Sequence, residues 1–226
     1  MVTVHSVPGN TLRWILYSMQ YMTNRKRDFF MALPNESSSL TRGEKTKYRL
    51  AESMKECMCH TPVDAITVRQ ITENCGLTRQ TFYRNFMDKF DLINWYFDKL
   101  LIKSFEYMGQ GKTVQEGLQL KFSYIGEEKE FFRAAFRYDR QNSLREHDFQ
   151  LIFRFYQDLI QLKTGAPASD DIRFLLEMYC HGSISMTIEW VLSGMAASPE
   201  DLARLMVEAM PAKLADLFAS FGILTE

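Results

Sequence analysis

The 226-residue sequence has no long uninterrupted apolar run and little of the two-residue alternation that is typical of half-buried strands. No stretch of 18 apolar residues occurs, so we expect no membrane-spanning helix. The apolar run 12–22 contains Arg13 and Gln20, and the small residues of a signal-peptide cleavage site do not follow it. Glycine-rich phosphate loops and internal repeats are also absent. Apolar residues instead recur at three- and four-residue spacing, which predicts an all-α fold.

Cysteine is scarce, with only four residues, at positions 57, 59, 75 and 180. Without a secretory signal they indicate reduced thiols and a cytoplasmic protein. Cys57, Cys59 and His60 do not predict a metal site, because residues two apart on a helix point roughly 200° away from each other. Cys75 is expected to pack inside its local helical unit. We therefore expect neither a metal nor another cofactor.

The net charge of -1 conceals an uneven distribution of charged residues. Residues 1–40 carry four basic and two acidic groups, and residues 41–87 carry eight basic and five acidic groups. Residues 109–226 carry 12 basic and 17 acidic groups. A basic first third joined to an acidic remainder indicates that the first third binds a polyanion and that the remainder has another role.

A pair of short helices within residues 67–86 carries the strongest functional signal. Thr67 and Thr78 are predicted N-caps, since a threonine hydroxyl accepts a free amide of the first turn. Gly76 supplies the positive φ that a tight turn between helices demands. The predicted buried side of the second helix comprises Leu77, Thr81, Phe82 and Phe86. This pattern predicts a helix-turn-helix, although it also fits an ordinary helical hairpin with a solvated polar face.

In a helix-turn-helix the second helix enters the major groove of DNA, and its first turns face base edges. Arg79 and Gln80 suit guanine and adenine, and such a bidentate pair contributes roughly 1–3 kcal/mol of discrimination against the wrong base. Tyr83, Asn85 and Lys89 suit phosphates, as do the hydroxyl and helix amides at Thr67. The predicted DNA-binding residues are Thr67, Thr78, Arg79, Gln80, Thr81, Tyr83, Arg84, Asn85 and Lys89.

The stretch "ITVRQITENCGLTRQTFYRNFMDKFDLI" resembles the DNA-binding domain of the TetR/AcrR family of transcriptional regulators, and the match covers about residues 42–100. Its most specific part is the run Phe-Tyr-x-x-Phe-x-x-Lys, which ends at Lys89. Three positions depart from the family pattern: Thr72 and Cys75 replace small alanines, and Asn85 replaces a frequent histidine. The matching residues are Thr67, Ile71, Gly76, Leu77, Phe82, Tyr83, Phe86, Lys89 and Leu92.

The resemblance implies a three-helix DNA-binding domain over residues 42–108, with the helix-turn-helix at about 67–86 and a linking fourth helix. A helical effector-binding and dimerisation domain is expected over 109–226, after the sequence "GQGK". Residues 1–41 are read as an N-terminal extension with an amphipathic helix, in which the basic run 25–27 either contacts phosphates or is solvated. Met22 and Met31 leave a later translation start open. Further helices are expected near 41–58, 113–125, 127–138, 145–163, 170–195 and 199–221, the last one capped by Ser198 and kinked by Pro211.

Dimerisation through the last two helices is a further implication of the family. The segment "YCHGSISMTIEWVLSGM" offers small residues for close approach and Trp190 as a large anchor. A second apolar stripe follows in the last helix, and two such helices from each subunit would make a four-helix interface. A purely intramolecular core is the competing interpretation. The predicted dimerisation residues are Gly182, Met186, Trp190, Leu202, Leu205, Met206 and Ala209.

These features predict a homodimeric regulator that binds a palindromic operator in double-stranded DNA and is no enzyme. A repressor released by a small-molecule or protein effector is the expected mode. The chain also resembles a subset of the family, including activators of dihydroxyacetone kinase operons, that works through a protein partner. An interaction module with a vestigial helix-turn-helix and a hydrolase using His181 and Ser183 are competing hypotheses from different functional classes. The aromatic residues of the second half fit core packing better than a ligand cavity at any single position.

Overall fold

Helices make up the regular structure of the described part of the chain. The computed structural model describes residues 40–109, 113–137 and 144–224. Within these ranges it contains ten α-helices, a 3-10 helix at Val63–Ala65 and no strand, which confirms the all-α expectation. The helices are α1 (Arg42–Met58), α2 (Val68–Asn74), α3 (Arg79–Asn85), α4 (Lys89–Gly109), α5 (Val114–Glu127), α6 (Lys129–Arg137), α7 (Leu144–Thr164), α8 (Asp170–Leu192), α9 (Pro199–Glu208) and α10 (Ala212–Ser220).

Local signals position the helix ends as the sequence predicts. Thr67 caps α2 by accepting from the amide of Gln70, whose side chain accepts from the Thr67 amide in return. Thr78 caps α3 by accepting from the amide of Thr81. Gly76, between the two helices, has a φ of +63°, a conformation that glycine adopts without steric cost. Asp88 accepts from two amides of the first turn of α4 and thereby caps this helix.

The helix-turn-helix packs against α1 and α4 through fully buried side chains. Leu50 of α1, Ile71 of α2 and Phe82 of α3 are each 0% exposed. Leu92 and Phe97 continue the same core along α4. Burying each of these side chains contributes roughly 1.5–3 kcal/mol, so packing and not helix propensity holds the two seven-residue helices in place.

The later helices form the second half of this core. Helix α5 packs against α4 and α9, and α7 packs against α8. Aromatic pairs mark these contacts: Phe97 and Phe132 lie 5.7 Å apart between ring centroids, and Phe122 and Trp190 lie 5.6 Å apart. The predicted core role of the aromatic residues of the second half is confirmed for Phe122 and Phe132. None of the helices that the structure describes is long and apolar enough to cross a membrane.

Pro211 ends one helix and precedes another, where the sequence had predicted one kinked helix over 199–221. Ser198 caps α9 as predicted, with Pro199 in the first turn. Helix α9 then ends at Glu208, and Pro211 becomes the N-cap position of α10. The cause is that proline lacks the amide that would continue the helix and restricts the residue before it. The prediction of a single helix was therefore wrong.

Two other predictions concern segments at the edges of the described residues. The proposed boundary at residue 109 coincides with the last residue of α4, and the division into 42–108 and 109–226 stays a prediction. The amphipathic N-terminal helix and the basic run 25–27 lie outside the described residues.

Candidate nucleic-acid interface

Helix α3 presents a polar face to solvent, as the sequence predicts. Arg79, Gln80 and Arg84 are exposed, and Tyr83 is 54% exposed. Within the described part of the chain, the two guanidinium groups and the Gln80 amide make no intramolecular hydrogen bond. These side chains are therefore available to an external partner with acceptor groups, such as base edges or phosphates.

Two phenylalanines on the opposite face hold α3 in its orientation. Phe82 is fully buried and Phe86 is 3% exposed. The Phe86 ring meets Trp95 of α4 edge to face at 5.6 Å, and the Lys47 ammonium lies 5.3 Å from the centroid of the same ring. Because such contacts fix the helix rotation, the polar face of α3 is held outward by packing.

Two of the three threonines in the predicted DNA-binding set, Thr67 and Thr78, cap helices. The Thr67 hydroxyl both donates to Gln70 Oε1 at 2.8 Å and accepts from the Gln70 amide at 3.2 Å. The Thr78 and Thr81 hydroxyls lie 2.9 Å apart. Thr67 and Thr78 are exposed, while Thr81 is half-buried. The Thr81 side chain therefore helps to hold α3 in place and adds little to its exposed polar face.

Two of the residues predicted for phosphates have partners inside the chain. Lys89 Nζ donates to the carbonyl oxygens of Asp64 at 2.7 Å and Ile66 at 2.9 Å. Burial lowers the pKa of Lys89, while Asp64 and Asp88 act in the opposite direction. The Asn85 amide donates to the Thr81 carbonyl at 2.8 Å. Lys89 thus ties the start of α4 to the segment before α2, a role that the sequence pattern did not reveal.

A hydrogen-bonded cluster between α1 and the turn that follows α2 was not predicted from the sequence. Ser53 of α1 is buried and donates to the Ile71 carbonyl at 2.7 Å. Asn74 donates to Ser53 Oγ at 3.0 Å, and Arg49 donates to the Cys75 carbonyl at 2.5 Å. These bonds join α1 to the end of α2, where free carbonyls need partners. Because the partners lie 18 to 26 residues apart, no local spacing could have identified them.

A second polar cluster connects α1 and α4 to the end of α5. Glu128, the C-cap of α5, accepts from Lys55 of α1 at 2.8 Å and from the Tyr96 hydroxyl of α4 at 2.8 Å. Lys55 also donates to the Tyr96 hydroxyl at 3.2 Å. Burial, followed by the Glu128 hydrogen bond, raises the pKa of Tyr96 well above its ordinary value. These contacts join α1 and α4 to the turn between α5 and α6.

The predicted dimerisation residues divide into two groups. Trp190, Leu202 and Met206 are between 5% and 7% exposed and belong to the chain's own core. Trp190 stacks edge to face on Phe122 of α5 and donates to the Ala197 carbonyl. The apolar side of α9 faces α5, which explains why these side chains are buried without a partner subunit. The exposed group comprises Gly182, Met186, Leu205 and Ala209.

Helix α8 carries an exposed apolar stripe, which we define as Phe174, Met178, Gly182 and Met186. These residues follow one another at intervals of four and therefore share one face of the helix. The three large side chains are 66%, 52% and 57% exposed. Phe174 and Met178 were missed as interface candidates, although their spacing from Gly182 is a signal that could have found them.

The residues considered for other chemistries are not arranged for them. Ser183 donates to the Cys180 carbonyl at 3.0 Å, and the His181 ring stacks on Phe149 with centroids 4.0 Å apart. A nucleophile and its base would need a mutual hydrogen bond. Cys59 is exposed and donates to the Lys55 carbonyl. In the described ranges, no three His, Cys, Asp or Glu side chains come together to form a candidate metal site.

Residues 112–211 match the family model TetR_C_8, described as a transcriptional regulator C-terminal region. The resemblance to the TetR family is thereby confirmed. Among solved structures, the dihydroxyacetone kinase operon activator DhaS is 20% identical, with a TM-score of 0.54 over 75% of this chain and 96% of that chain. At this identity the likeness shows a shared all-α fold, in which a helix-turn-helix is followed by a helical C-terminal region.

Two further structures align over similar lengths. A transcriptional regulator from Rhodococcus sp. Rha1 is 14% identical, with a TM-score of 0.46 over 77% of this chain and 94% of that chain. A regulator assigned to the TetR family from Mesorhizobium loti MAFF303099 is 13% identical, with a TM-score of 0.44 over 80% and 97%. No curated protein sequence matches this chain significantly.

Proposed function

We propose that this TetR-type protein is a sequence-specific DNA-binding transcriptional regulator that works as a homodimer. The observation that carries the proposal is the exposed face of α3, where Arg79, Gln80 and Arg84 have no intramolecular hydrogen bond in the described part of the chain. Phe82 and Phe86 hold this helix rigidly from behind. Guanine and adenine edges in the major groove are recognised by pairs of hydrogen bonds, which require side chains held in a fixed orientation.

The homodimer rests on the exposed stripe of α8. Contiguous exposed apolar patches of this kind mark interaction surfaces in soluble proteins. Gly182, in the centre of the stripe, has open space where a Cβ would be, so a second helix is able to approach closely there. A two-fold axis at this surface would give the dimer two copies of α3. Two recognition helices on one side of the molecule read two half-sites of a palindrome.

The proposed mode is repression that an effector relieves by changing the separation of the two α3 helices. An effector acts only through different affinity for the two arrangements. The contacts of Glu128 with Lys55 and Tyr96 support such coupling, because they connect α5 with α1 and α4. The proposal includes a cytoplasmic location and no catalytic activity.

Activation together with a protein partner is the second candidate. The observation in its favour is the shared fold with DhaS, which is an operon activator by name. A reporter gene behind the selected operator separates the two modes, because deletion of a repressor raises expression and deletion of an activator lowers it.

Selection of bound sequences from random duplex DNA tests the proposal directly. We expect enrichment of a palindrome whose half-sites lie about 10 base pairs apart or a multiple of that distance. Affinity for the selected site should fall steeply with salt, while the preference over scrambled duplex persists. Equal binding to every duplex after several rounds would contradict the proposal and favour an interaction module whose helix-turn-helix no longer reads DNA.

A further inference from the structure

Helix α4, which begins directly after the helix-turn-helix, is held by its neighbours to different extents. It packs extensively on α5, whereas its contact with α7 is small. In that small contact, Nε2 of His147 on α7 lies 2.6 Å from Oδ1 of Asp98 on α4. The His147 ring also meets the Phe97 ring edge to face, with 6.3 Å between the ring centroids. Much of the attachment of α4 to α7 therefore depends on one imidazole.

The surroundings of His147 are rich in negative charge. Among the described residues, the carboxylates that face the imidazole are Asp98 and Asp91 of α4 and Asp148 of α7. The cation that faces Asp148 is Lys121 of α5, whose Nζ lies 3.8 Å from Oδ1. Because that separation exceeds hydrogen-bond distance, Lys121 compensates the Asp148 charge only in part. All three carboxylates consequently favour the positive charge of a protonated His147.

The His147 imidazole is placed where its protonation follows the pH of the solution. The side chains of His147 and Asp98 are 33% and 31% exposed, so solvent reaches both. Histidine is the residue whose ordinary change of charge lies between pH 5 and 8. The hydrogen bond to Asp98 raises the pKa of His147, and burial opposes this shift. The change of charge therefore falls above the ordinary histidine pKa of about 6.5.

Loss of the proton weakens the contact between α4 and α7 without abolishing it. A neutral imidazole with its hydrogen on Nε2 still donates to Asp98, but it no longer attracts the carboxylates as a positive charge. Burial raises the pKa of the Asp148 carboxyl, and the charges of Lys121 and His147 oppose that shift. Deprotonation of His147 thus also removes a charge that compensates a buried carboxylate. The contact is tight at low pH and loose at high pH.

A displacement of α4 at Asp98 reaches the helix-turn-helix over a short distance. Trp95 lies about one turn before Asp98 on the same helix. Its ring meets the ring of Phe86, the C-cap of α3, at 5.6 Å, and the ring of Tyr48 on α1 at 5.1 Å. Trp95 is therefore the residue at which a movement of α4 relative to α1 and α3 is best detected.

We propose that His147 and Asp98 form a pH-sensitive switch, which clamps α4 to α7 when His147 is protonated and releases α4 when the proton is lost. In the released form, α4 and the α3 helix packed on it have more freedom to move. The effect on DNA rests on the proposed DNA-binding function: a dimer with more mobile α3 helices loses more conformational freedom on binding, so its affinity is lower. The switch itself does not depend on DNA.

NMR titration of the full chain between about pH 5.5 and pH 8.5 tests the switch without DNA. We expect the His147 ring signals to titrate and the indole N–H signal of Trp95 to shift with the same midpoint. The Trp190 indole, which donates to the Ala197 carbonyl, is the internal reference and should not follow. In His147→Gln, which keeps an uncharged hydrogen-bond donor, the Trp95 shift should disappear. A Trp95 signal that ignores pH, or that shifts equally in His147→Gln, would overturn the proposal.

Binding of the selected operator at about pH 6 and pH 8 measures the regulatory consequence. The affinity of the unmodified protein should fall about fivefold over this interval. His60→Gln, at an exposed histidine just after α1, is the matched control and should show the same fall. The affinities of His147→Gln and Asp98→Asn should hardly change with pH.

The possible failures of the two measurements are distinguishable. An undiminished fall in both His147→Gln and Asp98→Asn would show that this pair does not control DNA binding. Absence of selective binding to any duplex, together with a Trp95 shift that follows His147, would refute the proposed DNA-binding function and support the switch.

Discussion

The imidazole of His147 approaches the carboxylate of Asp98 with Nε2 2.6 Å from Oδ1. This contact joins α7 to α4, the helix that continues from the helix-turn-helix into the C-terminal half. The hydrogen bond to Asp98 raises the pKa of His147 above 6.5, although burial opposes the shift. The negative charges of Asp98, Asp148 and Asp91 all favour the imidazolium form. The link between the two helices is therefore strongest when His147 is protonated.

Stability should consequently fall as pH rises above about 6.5. A raised pKa in the folded state gives a stabilisation that is complete below the unfolded pKa of about 6.5 and is lost as pH rises through the folded value. For this partly exposed pair we expect a loss of about 1 kcal/mol in the free energy of unfolding. Urea denaturation at a series of pH values measures it. Asp98→Asn should flatten the dependence in that window, and an unchanged profile in this variant would refute the assignment.

Truncation of the polar face of α3 should relax sequence preference. Arg79→Ala and Gln80→Ala each remove a predicted base reader and should cost roughly 1–3 kcal/mol on the selected operator. Binding to scrambled duplex should change much less, because phosphate contacts remain. Competition binding measures both affinities. Met87→Ala is the control, since this side chain is 81% exposed and offers no base-reading donor. Unaltered preference in both variants would mean that other residues read the bases.

Removal of the charge at Lys89 should affect both folding and affinity. Lys89→Met keeps the alkyl chain but loses the bonds to the Asp64 and Ile66 carbonyls. We expect a loss of roughly 1–2 kcal/mol in the free energy of unfolding. If Lys89 also contacts a phosphate, all duplexes bind more weakly and the salt slope decreases by about one. Lower stability with an unchanged salt slope would mean that Lys89 stabilises the fold and contacts no phosphate.

Exposed and buried residues of α8 should respond differently to substitution. Met186→Glu places a charge in the α8 stripe and should dissociate the dimer without unfolding the subunit. Trp190→Ala should instead cost about 3–5 kcal/mol of stability, because it opens the core against Phe122. Sedimentation and thermal denaturation separate the two effects. Leu162→Glu, at a residue 65% exposed on α7, is the control. A dimer that survives Met186→Glu would place the subunit interface elsewhere.

The local features of the fold were accessible from the sequence. The caps at Thr67 and Thr78 and the turn at Gly76 depend on groups at most four residues apart, so their residue types and spacing contain the necessary information. The polar face of α3 follows equally from helical periodicity. Pro211 shows the limit of this reasoning: its disruption of the helix was predictable, but the complete break between α9 and α10 was not.

The sequence by itself determined the all-α class, the helix-turn-helix and the side chains on the free face of α3, because each of these depends on short-range periodicity and capping. Only the tertiary structure decided which apolar stripe is covered by the chain itself. Leu202 and Met206 face α5, while Met186 stays exposed. It alone also brought Lys121 next to Asp148 and Lys89 next to the Ile66 carbonyl. These partners are more than 20 residues apart, and only packing of the whole core sets the distances between them.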